Sequence, residues 1–145
     1  MDSWRDTASQ QAQDDLDGLL PLVLDFAKQQ LDNRGAFYPY AAVVGTDGVQ
    51  RMTSADVGSD KPESAELLSL LTEGLIGDRD QLRATAIVTD VHVAELNSDA
   101  VRVALEHREG VALTVLMPYR ITRFRRGAGY ADMQASRGDT VIWAG

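Results

Sequence analysis

The chain contains no cysteine. That excludes a disulfide-stapled secreted scaffold and a Cys-ligated zinc or iron–sulfur centre. Aromatic residues make up only 6% of the 145 positions. Lysine is nearly missing: of 14 basic residues, 12 are Arg and only Lys28 and Lys61 are Lys. A coding bias toward GC-rich codons accounts for that. The longest apolar stretch, Leu19 to Leu24, falls far short of the roughly 20 residues a membrane helix needs. Residues 1–15 are polar and acidic, unlike a signal peptide. A cytoplasmic location without membrane contact is therefore expected. What is present is ordinary for a folded domain: 44% hydrophobic and 25% charged residues, which argues against bulk disorder.

The net charge of −8 is unevenly spread. Residues 1–99 carry 18 acidic and 7 basic side chains, and residues 100–145 carry 4 acidic and 7 basic ones. Such an asymmetry can mark a partner surface.

Residues 1–15 have weak periodicity and read as a loose N-terminal arm, followed by a single α+β domain over 16–145. Leu20, Val23, Leu24, Ala27 and Leu31 form one helical stripe. Pro21 belongs in a first turn, so the spacing predicts a helix starting near Gly18 or Leu19, with Asp17 as N-cap and Gly35 past its end. Residues 37–44 and 49–53 read as strands joined at Thr46-Asp47-Gly48, with Pro39 at an edge, a bulge or the start of the first. Ser59-Asp60 before Pro62-Glu63 announces a second helix, with Leu67, Leu68, Leu71 and Leu75 inward and Gly77-Asp78 closing it.

Residues 84–96, 100–107 and 111–121 read as antiparallel strands. A tight loop at Arg108-Glu109-Gly110 pairs His107 with Val111, Leu105 with Leu113, Val103 with Val115 and Val101 with Met117. A loop at Asn97-Ser98-Asp99 pairs Val93 with Val103 and Val91 with Leu105. Further strands are expected over 121–126 and 140–143. The order α-β-β-α-β-β-β(-β) predicts an antiparallel sheet of five or more strands with two helices on one face. Its layout is comparable with the profilin/roadblock-like one.

In that register Asp90, His92, Arg102 and Glu106 share the face away from the helices, with Asp90 opposite Glu106. Two carboxylates beside an imidazole could support acid–base chemistry. A solvated sheet face accounts for the same residues. His107 falls on the core side at the rim, on the face opposite His92, so the two cannot share an ion. No metal or cofactor is expected. Arg120, Arg123, Arg125, Arg126 and Arg137 fall within 18 residues that hold one acid, Asp132. Tyr119, Phe124 and Tyr130 are interleaved with them. Arginine suits bidentate contacts to anions, but a protein at −8 lacks the positive field that nucleic acid requires. A structural match to the acidic first helix is the simpler reading. Gly127-Ala128-Gly129 reads as a turn, and Arg137-Gly138-Asp139 as a chance tripeptide.

The segments Phe37-Tyr38-Pro39-Tyr40 and Leu105-Glu106-His107…Met117-Pro118-Tyr119-Arg120, together with the Asp47-Gly48 turn, resemble a family of small bacterial proteins. These carry a "FYP" strand and an "LEH…G…LPYR" hairpin and have no established activity. The resemblance spans about residues 16–143, with Met117 where the pattern has Phe or Leu. It implies a fold and no mechanism, and it directs attention to Glu106, Tyr119 and Arg120.

The function expected is a non-enzymatic binding or assembly module of accessory or immunity-like type, acting as a homodimer or on an acidic protein partner through Arg102, Tyr119, Arg120, Arg123 and Arg125. The alternatives are a small enzyme using Asp90, His92 and Glu106, and an anion sensor using the segment 120–126.

Overall fold

The computed structural model describes residues 3–58, 60–122 and 127–144. Helix α1 spans Gln10–Arg34. The Ser9 hydroxyl accepts the Ala12 N–H at 3.0 Å and caps its start. Gly35, at φ 76°, closes its end by donating to the Leu31 carbonyl. The loose arm expected over residues 1–15 is thus replaced, within the described residues, by a 3-10 turn at Trp4–Asp6 and the first helical turns. Asp17 is no cap. It takes the Arg5 guanidinium in two bonds of 2.7 Å.

The buried stripe of α1 is Ala12, Asp15, Leu16, Leu19, Val23, Leu24, Ala27 and Leu31. Each large aliphatic side chain in it contributes roughly 1.5–3 kcal/mol by leaving water. Pro21 stands inside the helix, not in its first turn, and sits on the exposed side. Having no N–H, it cannot donate to the Asp17 carbonyl one turn back. Pro21→Ala should therefore raise the unfolding free energy by about 1–3 kcal/mol. Urea denaturation checks this, and an unchanged or lower midpoint would contradict it.

Strands β1 (Tyr40–Gly45) and β2 (Gln50–Thr53) form the hairpin expected around Asp47-Gly48. Gly48 takes φ 83°, and the Asp47 carboxylate accepts the Val49 N–H at 3.0 Å. Pro39 lies just ahead of β1, where no ladder bond is needed of it. Helix α2 spans Ser64–Asp78 with Glu63 at its cap position and no side-chain cap bond. Asp60 and Pro62 precede it without capping it, and Ser59 lies outside the described residues. Leu67, Leu71 and Leu75 are its buried residues.

Strands β3 (Leu82–Val93), β4 (Ser98–His107) and β5 (Val111–Ile121) form the middle and far side of the sheet. The β4–β5 register pairs His107 with Val111, Leu105 with Leu113, Val103 with Val115 and Val101 with Met117, as the hairpin at Gly110 predicts. The β3–β4 register differs from expectation. A 3-10 turn at Ala94–Leu96 and a left-handed Asn97 (φ 46°) close the connection early, so Val93 pairs with Ser98 and Val88 with Val103. The shift is an odd number of residues. An odd slip moves every side chain of β3 to the other face relative to β4.

Short strands β6 (Ala128–Tyr130) and β7 (Gln134–Arg137) both pair with β5. Gly127-Ala128-Gly129 is thus the start of a strand more than a turn. The sheet order is β2-β1-β3-β4-β5-β6, antiparallel throughout, with β7 beside β5. The fold is α+β with an antiparallel sheet of more than five strands. The expected strand over 140–143 is irregular chain instead, and most of the strand expected over 121–126 lies outside the described residues.

The helices do not share one face. Tyr40, Ala42, Val44, Ala84, Ala86, Val88, Val101, Val103 and Leu105 pack with α1. Ala41, Val43 and Ile87 point the other way, to Leu71 and Leu75 of α2 and to Ile142. A sheet with a small apolar set on its second face needs cover there as well. Among the described residues no helix is long and apolar enough to cross a membrane.

Candidate functional site

The register decides what happens to the predicted residues. Asp90 and His92 lie on the α1 face of β3, while Glu106 and Arg102 lie on the α2 face of β4. Asp90 pairs with Val101, not Glu106, so no Asp90/His92/Glu106 cluster exists. His92 meets Asp99 across the strands at 3.0 Å, with both side chains more than half exposed. Arg102 is half-buried and Arg120 exposed. They share a face but stand apart, since Arg102 pairs with Leu116. Arg123 and Arg125 lie outside the described residues.

Glu106 is buried on the α2 face. Its carboxylate accepts the backbone N–H groups of Val141, Ile142 and Trp143 at 2.9, 3.0 and 2.8 Å. The family-like motif places this residue for a structural reason that strand periodicity cannot reveal. Its ligands come from irregular chain 35 to 37 positions away.

Tyr119 does join Asp90. Its hydroxyl donates to the Asp90 carboxylate at 2.5 Å, and the Phe37 backbone lies near enough to favour the charged form of the same carboxylate. The Phe-Tyr-Pro-Tyr and Pro-Tyr-Arg segments thus converge on one acid. Burial pushes the Asp90 carboxyl above the ordinary range, against the pull of Tyr119 and the Phe37 backbone, and nearby Asp99 adds to the rise. Burial likewise raises the Tyr119 hydroxyl, reinforced by Asp90.

Asp90 lies on the wall of a cleft of about 720 Å³. The end of α1 supplies Phe26 and Arg34, the approach to β1 supplies Phe37, Tyr38 and Tyr40, and the loop after β2 supplies Asp56. Phe26 and Phe37 meet the Tyr40 ring edge to face, with centroids 4.8 and 5.6 Å apart. The Tyr40 hydroxyl donates to the Val23 carbonyl, fixing that wall to α1. In a protein with 6% aromatics, four rings gathered at one opening are a concentrated feature.

A second polar cluster was not legible from the sequence. Asp15, in the buried stripe of α1, takes the Arg83 guanidinium at 2.7 and 3.1 Å and His107 Nε2 at 2.9 Å. The Glu109 amide donates to His107 Nδ1 at 3.2 Å, which leaves the ring proton on Nε2, facing Asp15. His107 is fully buried on the same face as His92, not the opposite one. Its partner on β3 is Ala84, so the two rings stand at opposite ends of the sheet. The only hint in the sequence is an acid at position 15, three residues after Ala12 and four before Leu19.

No family model, no curated protein and no solved structure matches this chain. The family-like motifs therefore stand on the residues alone, and the profilin/roadblock-like comparison rests on element order. Among the described residues no three His, Asp or Glu side chains are placed to hold a metal ion.

The raised Asp90 carboxyl has a thermodynamic consequence. The folded state holds that proton more tightly than the unfolded chain, whose value is near 3.9. The resulting stability is fully present below the unfolded value and is lost as pH rises through the folded one. Asp90→Asn should therefore remove a downward component of stability that begins near pH 4. Urea midpoints compared between pH 4 and 7 check this, and parallel pH profiles for the two proteins would contradict it.

Proposed function

We propose that this chain is a non-enzymatic binding module whose cleft beside Asp90 receives a basic group, an amine or guanidinium, from a partner. The observation that carries this reading is a half-buried carboxylate in an aromatic-lined cleft, with no cation bonded to it among the described residues. A cation there would relieve the desolvation of Asp90 and meet the faces of aromatic rings. The net charge of −8 would draw basic partners toward the surface. The binding reading is favoured over catalysis because each candidate acid is already engaged: Glu106 by three amides, Asp15 by Arg83 and His107, and Asp90 by Tyr119.

A thermal-shift panel separates the choices. Tetramethylammonium and arginine methyl ester should raise the melting temperature with a Kd of about 1 mM, as expected for small probes. Sulfate and acetate should not. Stabilisation by the anions alone would instead favour the acidic-partner reading on Arg102 and Arg120, and no stabilisation by any cation would sink the proposal.

A further inference from the structure

The α2 face of the sheet holds a second concavity, a hollow of about 180 Å³. Its floor is Thr85 and Ile87 of β3, Arg102 and Ala104 of β4, and Thr114 of β5. Residues 141–143 close one end of it. They are held in a seat made by Glu106, which accepts their three amide N–H groups, and by Arg79, which donates to the Ile142 carbonyl at 3.2 Å. Thr85 pairs with Glu106 across the strands, so it marks this end. Arg102 lies four residues from Glu106 on β4, about 13 Å along the strand, and marks the other.

Two polar groups of the hollow are unused by the fold. Thr85 is fully buried, and its hydroxyl meets no partner among the described residues. A buried hydroxyl left in that condition is costly and calls for a reason. Arg102 is half-buried, and its guanidinium forms no hydrogen bond or ion pair among the described residues. The Thr72 hydroxyl, by contrast, donates to the Leu68 carbonyl at 2.8 Å, and Glu106 is taken up by its three amides. Between the two unused groups the floor is apolar, because Ile87 and Ala104 face each other there.

We propose that this hollow binds a small monocarboxylic acid with an apolar body and a hydroxyl or keto oxygen at its far end. The carboxylate meets Arg102, whose planar fork suits a bidentate contact. The body lies on Ile87 and Ala104, and the far oxygen pairs with the Thr85 hydroxyl. The reverse orientation is disfavoured. Asp139 also borders the hollow, and it follows Gly138, whose N–H donates to the carbonyl of Ala112, the cross-strand partner of Glu106. A carboxylate at the Thr85 end would therefore face two acids. Size sets the class: a cavity of about 150 Å³ holds one benzene ring, so this one admits a single ring or a short aliphatic chain. The hollow lies on the opposite face of the sheet from the Asp90 cleft, and either reading can fail alone.

Isothermal titration of the full chain with 4-hydroxybenzoate should show saturable binding with a Kd of about 1 mM or tighter. Benzoate, lacking the far oxygen, should bind severalfold more weakly, and acetate, lacking the body, not measurably. Arg102→Met should weaken 4-hydroxybenzoate about tenfold or more. It removes no bond of the fold among the described residues, so the melting temperature should hold. Thr85→Val should erase the preference for 4-hydroxybenzoate over benzoate and leave benzoate binding unchanged. Should that variant fold poorly, amide shifts on titrating the unsubstituted protein provide the second arm and should gather at Ile87, Ala104 and Thr114. No binding of either ring acid up to about 20 mM would overturn the proposal. So would unchanged binding by Arg102→Met, a preference that survives Thr85→Val, or shifts gathered at Arg34 and Phe37 instead.

Discussion

Asp15→Ala is expected to lower the unfolding free energy by about 3–5 kcal/mol, the usual cost of removing one partner from a buried charge pair. The substitution strips two bonds from Arg83 and one from His107. It leaves a guanidinium and an imidazole N–H facing each other with no acceptor between them. His107 is fully buried and Arg83 largely so, and water cannot reach the ring to compensate. The same cluster joins the first turns of α1 to the β4–β5 hairpin, since the Ser9 hydroxyl donates to Glu109 at 2.9 Å. Hydrogen exchange at the start of α1 should therefore accelerate more than exchange in β1. Coupling provides the sharper test. The double variant Asp15→Ala with Arg83→Met should cost clearly less than the two single changes added together, because the second removes a charge the first had stranded. A single-variant loss below about 1 kcal/mol, or simple additivity, would contradict this account of the cluster.

Glu106→Gln is expected to cost about 2–4 kcal/mol, although it changes only one atom type. A carboxylate can accept from Val141, Ile142 and Trp143 at once. The amide keeps one acceptor and presents an NH2 group to a backbone N–H, so at least one buried donor loses its partner. The loss should be local. Amides 141–143 should exchange freely and Trp143 fluorescence should shift toward that of an exposed indole, while protection in β3 and β4 persists. Midpoints and exchange rates that match the unsubstituted protein would show that the seat contributes nothing.

The parts of the fold visible in the sequence are those fixed locally. The Gly110 hairpin fixes the β4–β5 register, because its loop length and the alternation of Val101, Val103 and Leu105 agree. The Asp47-Gly48 turn is equally local. The β3–β4 connection is hidden in the sequence because Ala94 and Leu96 continue the apolar strand pattern, while the chain turns there. That single turn decides on which face Asp90 and His92 lie, and so it dissolved the catalytic cluster. The start of α1 was hidden for a different reason. Asp15 interrupts an otherwise apolar stripe, and it is buried only because Arg83 and His107, 68 and 92 positions away, meet it. Pro21 also suggests a first turn where the helix is already under way. The second apolar face is hidden because Ala41, Val43 and Ile87 resemble outward-facing residues until α2 is placed over them.

The candidate site follows the same division. Asp90 stands out by its chemistry and Tyr119 by the motif resemblance, yet their meeting depends on β3 and β5 flanking β4 in this register. The rings of the cleft come from α1 and the approach to β1, which no spacing rule connects to position 90.

The most direct test of the binding assignment is a two-dimensional NMR titration of the protein with arginine methyl ester, run beside Asp90→Asn. The proposed function predicts saturable shifts at the backbone amides of Phe37, Tyr38, Asp90 and Arg34, with a Kd of about 1 mM that weakens at least severalfold in the variant. Shifts that are absent, that spread evenly over the acidic surface, or that persist unchanged in Asp90→Asn would contradict it.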